Sequence, residues 1–194
     1  MIKTIRHLPL IVSIMATLTA CSDIKGAIEF ADQNDDFDDR YDALNARSTT
    51  AYSAIPDAGT ATYRGEARLG AGTDAAGVVL IGDASITVDF SDGDVTGRLS
   101  SFGGFDRSEE YSDYSGALTF EGGQIGVDKP NDVQATIEGT LVGEDHSLDV
   151  DAAFRGDFRG TPIRGILGNT QGSASTFTLD GNTVPGGIVV AVSQ

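Results

Sequence analysis

From Thr60 to Phe102 the chain alternates, apolar or glycine at one position and polar or charged at the next. Such a period of two belongs to antiparallel strands with one buried face. Ala61, Tyr63, Gly65, Ala67 and Leu69 fall on the inner side, with Thr62, Arg64, Glu66 and Arg68 toward water. Ala84, Ile86, Val88 and Phe90 repeat the pattern against Ser85, Thr87 and Asp89. After the turn Ser91-Asp92-Gly93-Asp94, Val95, Gly97 and Leu99 point in against Thr96, Arg98 and Ser100.

The alternation continues to the C-terminus. Val133, Ala135, Ile137, Gly139 and Leu141 oppose Gln134, Thr136, Glu138 and Thr140. Past Gly143-Glu144-Asp145, the inward series is Leu148, Val150, Ala152, Phe154, Gly156 and Phe158. Eight or nine strands in sequential hairpins are predicted over residues 59–194, with no helical period among them. Two architectures satisfy such a series, a closed barrel or a two-sheet sandwich, and closure removes the unpaired edges. Gly65, Gly97, Gly139, Gly156 and Gly165 are read as inward mid-strand glycines, which a small barrel needs where its wall bends or packs closely. The fold class expected is all-β, a single eight-stranded antiparallel up-and-down β-barrel, lipocalin-like in appearance. The charged outward face excludes a barrel that meets lipid.

Upstream of the strands the chain changes character. Lys3 and Arg6 precede an apolar run, Leu8 to Ala20, that is 13 residues long. A spanning helix needs about 20, so the run fits the apolar region of a secretion signal. It ends in Leu18-Thr19-Ala20-Cys21, which resembles the bacterial lipobox. That resemblance implies a signal peptide over 1–20 and a mature protein beginning at Cys21, carrying diacylglycerol and an N-acyl chain such as palmitate. Ser22 in place of aspartate implies the outer membrane as destination. Cys21 is the one cysteine, so no disulfide forms within the chain.

Residues 21–58 read as an acidic tether. Asp32, Asp35, Asp36, Asp38, Asp39 and Asp42 interleave with Phe37, Tyr41 and Leu44, whose i, i+4, i+7 spacing predicts a short amphipathic helix over 35–47. Two states remain open for it, a solvated tether or a helix packed against the barrel. Ser48 to Gly59 reads as a linker.

Charge and side-chain inventory narrow the function. A net charge of −16, with 13 Lys and Arg against 29 Asp and Glu, argues against nucleic acid as a partner. His146 is the single histidine after the signal and is expected as a solvated turn residue, without a nucleophile elbow to serve. Asp32 to Asp36 begins like a calcium loop, but Phe37 stands where glycine is required and Ala43 where glutamate is, so no metal ligand set is assigned. No enzyme activity is expected. Gly103 to Tyr114 reads as a long loop whose Phe105, Arg107, Tyr111 and Tyr114 have the aromatic and arginine character of binding hot spots. They are the candidate partner-binding residues, and the same aromatics serve equally as a cap on the barrel end.

Tyr63-Arg64-Gly65, Val88-Asp89-Phe90 with Val95-Thr96-Gly97-Arg98-Leu99, and Phe154-Arg155-Gly156-Asp157-Phe158-Arg159-Gly160 resemble the barrel repeat of the transferrin-binding protein B-like surface lipoproteins, a group that also takes in factor H binding proteins. The resemblance spans residues 59–194. It implies a lipid-anchored barrel, monomeric, that captures an extracellular protein or iron source at the cell surface. One barrel stands here in place of the two lobes of the full-length transferrin receptors. A lipocalin-like carrier of a small apolar ligand, or a structural envelope lipoprotein, are the alternatives.

Overall fold

The computed structural model describes residues 19–73 and 76–194, with side chains from Ile24 onward. The signal peptide read over 1–20 lies almost wholly outside the described residues, as does the side chain of Cys21. A helix, α1 (Thr19–Asn45), and a single 3-10 turn (Tyr52–Ala54) precede nine strands: β1 (Thr60–Gly72), β2 (Gly77–Asp89), β3 (Asp94–Asp106), β4 (Tyr111–Ile125), β5 (Asp132–Val142), β6 (Ser147–Arg159), β7 (Gly165–Leu179), β8 (Asn182–Val184) and β9 (Gly186–Ser193).

Each strand from β1 to β7 pairs antiparallel with the next, and β9 returns to lie between β7 and β1. The sheet is therefore a closed ring. β8 pairs only with the far half of β7, through Phe177↔Val184 to Leu179↔Asn182, and runs into β9 across Pro185. Pro185 lacks an N–H for the ladder, and its carbonyl accepts from the Gly72 amide at 2.8 Å. β8 and β9 are thus two halves of the eighth stave, and the eight-stranded antiparallel barrel expected from the alternation is the fold.

The lumen is filled by side chains. Tyr63, Ile86, Val88, Leu99, Leu118, Ile137, Leu148, Phe154, Phe158, Phe177, Val190 and Val192 are all buried in one continuous core. Aromatic rings lie over glycines on the wall. A Cβ on Gly97 would stand 2.6 Å from the Phe120 ring, one on Gly82 2.8 Å from Phe102, and one on Gly168 2.5 Å from Phe154. Phe120 and Phe154 then meet edge to face with centroids 5.1 Å apart. Eight strands enclose a space just wide enough for side chains, and each ring fits because its neighbour has none.

Gly165 departs from the inward reading. It pairs with Arg159, an outward position, and a Cβ there would meet Leu44 of α1 at 2.8 Å. Gly165 to Leu167 is buried on both faces, Ile166 in the lumen and Leu167 under a cover outside.

The cover is α1. Phe37 and Leu44 pack with Ile81, Leu167 and Ala191 into a second buried cluster, flanked by Phe30, Tyr41 and Val189. The helix begins well before the predicted 35–47, and it is docked, not solvated. Among the described residues no helix is long and apolar enough to cross a membrane. The stretch read as a linker is also fastened. Thr50 donates its amide to Phe158 O (2.8 Å) and its hydroxyl to Gly160 O (2.6 Å), while Asn131 Nδ2 donates to Thr50 O (2.6 Å). Thr50 is fully buried in consequence.

Replacing Gly97 by alanine forces a methyl into Phe120 and is expected to cost about 1–3 kcal/mol, the range for overpacking a core. Urea denaturation of Gly97→Ala, Phe120→Leu and the double variant checks it. The double variant should lose less than the sum of the two single losses, because the smaller side chain relieves the clash.

Candidate functional site

The stretch expected as a loop, Gly103 to Tyr114, is mostly strand. Phe105 pairs with Tyr111, Gly104 with Ser112, Gly103 with Asp113 and Phe102 with Tyr114, leaving 107–110 as the turn. Tyr114 faces into the barrel end, buried, with its ring over Gly143. Burial, then the nearby Asp106, Asp180 and Asp145 carboxylates, push its hydroxyl up to about 12. Phe105 and Tyr111 point outward and receive α1. Phe30 meets Phe105 edge-on at 5.1 Å, Phe105 meets Tyr111 at 5.6 Å, and a Cβ on Gly26 would strike the Tyr111 ring. Tyr111 donates to Asp113 Oδ1 at 2.7 Å; burial above all, with this carboxylate, raises its pKa. Of the four candidate residues only Arg107 is exposed. The structure therefore does not bring them together as one open patch: two seat the helix, one caps the lumen.

Charged residues on the outer wall complete the seat. Arg40 grips Glu66 with two nitrogens (Nε–Oε2 2.8 Å, Nη2–Oε1 3.2 Å) and donates Nη1 to Ser193 Oγ at 2.5 Å. Its hydrogen bond to Glu66 raises its pKa, against the opposing effect of burial. Arg68 donates to Asp38 Oδ1 at 2.8 Å and lies 4.2 Å over the Phe37 ring. Alternation placed Glu66 and Arg68 toward water, and they do face outward. Their partners come from 26 and 30 residues away in the chain, which strand periodicity alone does not reveal.

Several grooves mark the wall, among them one of about 610 Å³ over β4–β7, lined by Glu121, Gln134, Thr136, Arg155 and Gln171. A broad depression of about 630 Å³ over β1–β3 is lined by Arg64, Asp83, Ser85, Thr87 and Arg98. A narrower one of about 390 Å³ runs between α1 and β6–β7 past Tyr41, Lys129, Arg155, Arg159 and Asn169. The latter two are open and carry charged side chains, suited to a macromolecular surface more than to a small apolar guest.

His146 is not the solvated turn residue expected. Its Nδ1 sits 2.7 Å from Asp180 Oδ2 and its Nε2 3.7 Å from Asp106 Oδ2, so it links three turns at one barrel end. Asp180 and Gly181 both have positive φ (51° and 77°), the two-residue hairpin turn that matches strand twist. That turn aims Asp180 at His146 and at the Ser147 amide, 2.8 Å away. The Asp180 hydrogen bond raises the His146 pKa more than burial lowers it. Burial pushes Asp180 up, but the Ser147 amide and His146 outweigh it and hold the carboxyl below its usual value. With Asp180 bonded at Nδ1 and Asp106 3.7 Å from Nε2, the imidazole suits a charged cross-link between the turns. Among the described residues no group of three or more His, Cys, Asp or Glu is placed to hold a metal ion.

A histidine with a raised folded pKa stabilises the fold fully below its unfolded pKa of about 6.5, and that contribution fades as pH rises through the folded value. Asp180, with a lowered pKa, contributes above about 3.9 and loses it on further acidification. His146→Gln should therefore cost about 0.5–1 kcal/mol near pH 5.5, a size set by the pair's partial exposure, and almost nothing at pH 9. Denaturant titrations of both proteins at the two pH values read the difference.

No protein-family model matches the chain, and no curated protein does. Among solved structures the chain is similar to a double mutant of the vaccine antigen transferrin binding protein B from Haemophilus parasuis, at 17% identity and a TM-score of 0.50. The match covers 76% of this chain and 28% of that one, so the chain spans under a third of its length. What the two share is the fold of the barrel.

Proposed function

We propose that this protein is a non-catalytic, monomeric outer-membrane lipoprotein, anchored through acyl chains on Cys21, whose barrel binds a protein or an iron source at the cell surface with its outer wall. The observation that carries the reading is the filled lumen. Phe90, Phe120, Phe154, Phe158 and Tyr63 occupy the space in which a carrier would hold an apolar guest, which weighs against the lipocalin-like alternative. Recognition then falls to the wall and rims. One broad uncovered stretch is the depression over β1–β3, where Arg64 and Arg98 stand among hydroxyls. Arginines on a rigid wall supply directional, charge-assisted contacts to a protein partner. His146 is engaged by Asp180 at Nδ1, with Asp106 3.7 Å from Nε2, which supports a role without catalysis, and by analogy of fold alone the likeness to transferrin binding protein B supports a binding barrel.

The acylated mature protein, immobilised and exposed to proteins of the growth medium, is expected to retain a specific partner. Arg64→Ser with Arg98→Ser should weaken retention about 10-fold or more, as loss of central charged contacts does. Protease treatment of intact cells should cut at the exposed Arg107. A stoichiometric apolar molecule released on denaturation, with no protein retained, would establish the carrier instead.

A further inference from the structure

The stripe of α1 that faces away from the barrel changes character along its length. Phe30, Phe37 and Leu44 define the docked side. Ile24 and Ile28, one turn apart, lie about 160° round the axis from it and are 63% and 56% exposed. Position 21, at i−3 from Ile24 and i−7 from Ile28, falls on their stripe. Farther along the same stripe stand Asp32, Asp35, Asp39 and Asp42, all exposed. Among the described side chains, the charged pair beside the isoleucines, Lys25 with Glu29 at 3.1 Å, is neutral as a unit.

We propose that the first turns of α1 lie in the membrane interface, with Ile24 and Ile28 among the lipid chains and the aspartates held out of it. The inference rests on the lipid anchor proposed at Cys21. Acyl chains on that residue bring the bilayer to the stripe on which the isoleucines stand. The four aspartates are repelled by anionic headgroups, so the step between Ile28 and Asp32 sets how far the helix enters. From 21 to 28 the helix rises about 10 Å, so the apolar part of the stripe ends about two turns from the anchor. The same aspartates oppose a second copy laid along this stripe, since like charges would meet. Because α1 is clamped to the wall through Arg40–Glu66 and Arg68–Asp38, the barrel is then held against the bilayer at a fixed attitude, not hung from it on a loose chain.

The chain contains no tryptophan, so a single one reports its own surroundings. Acylated mature Ile28→Trp and Asp39→Trp proteins, in vesicles of phosphatidylethanolamine and phosphatidylglycerol with brominated chains, are compared with the same proteins in unbrominated vesicles. Trp at position 28 should be quenched about 3-fold or more by burial in the interface, and Trp at position 39 little changed. Position 28 unquenched overturns the proposal. Blue emission there that bromine does not quench also overturns it, and assigns the face to another protein copy. Mass measurement of the N-terminal peptide reads acylation separately. Quenching at 28 without acylation keeps the membrane contact and removes the anchor; acylation without quenching does the reverse.

Discussion

The last strand closes the molecule, and the rest of the structure depends on that closure. β9 pairs with β1 from Arg64↔Ser193 to Ala71↔Gly186 and with β7 from Gly165↔Ser193 to Asn169↔Val189. Without it β1 and β7 would each expose a row of unpaired amides and carbonyls, the feature that invites association between chains. Closure at eight strands also sets the interior, and the side chains answer to that size. Rings of Phe102, Phe120 and Phe154 need glycine across from them, at Gly82, Gly97 and Gly168. An added carbon at Gly97 or Gly168 must displace a ring that is itself packed against another, since Phe120 and Phe154 meet edge to face.

A second constraint comes from outside. The wall around Ile81, Leu167, Val189 and Ala191 is apolar on its outer face as well as its inner one, and α1 covers it. Apolar contact supplies the attraction, while the half-buried Arg40–Glu66 pair and the Arg68 stack over Phe37 fix where along the wall the helix sits. With both guanidinium edges of Arg40 engaged, sliding by one turn would strand a partly buried charge. The filled lumen and the covered flank together leave the outer faces of β1–β3 and β4–β6, the turns and the exposed stripe of α1 for contact with other molecules.

Much of this was legible in the chain. Strict alternation located β1, β2, β3, β5 and β6 and their inward residues, and the count of strands with the inward glycines pointed to a barrel. What escaped has physical causes. Gly103 to Tyr114 looked like a loop because glycine and charged residues dilute its alternation, yet backbone pairing with β2 and β4 holds it as strand. Phe105 and Tyr111 stand out in the sequence as candidate binding aromatics, and in the structure Phe30 and Gly26 pack against them. Gly165 faces outward, against its inward reading, because a run buried on both sides carries no parity. The length of α1 was hidden by Gly26 and a scatter of aspartates, since its stability comes from docking and not from propensity. His146 read as solvated because its partners, Asp106 and Asp180, lie 40 and 34 residues away in the chain.

The central claim is a sealed, filled cylinder, and amide hydrogen exchange along β9 tests it most directly. Closure predicts that the amides of Ile188, Val190 and Val192 exchange as slowly as those of Ile137 and Val150 in the middle of the sheet, opening only with the whole fold. Exchange in β9 about 100-fold or more faster than at Ile137, as expected of a frayed edge strand, would show that the ring is open and contradict the account.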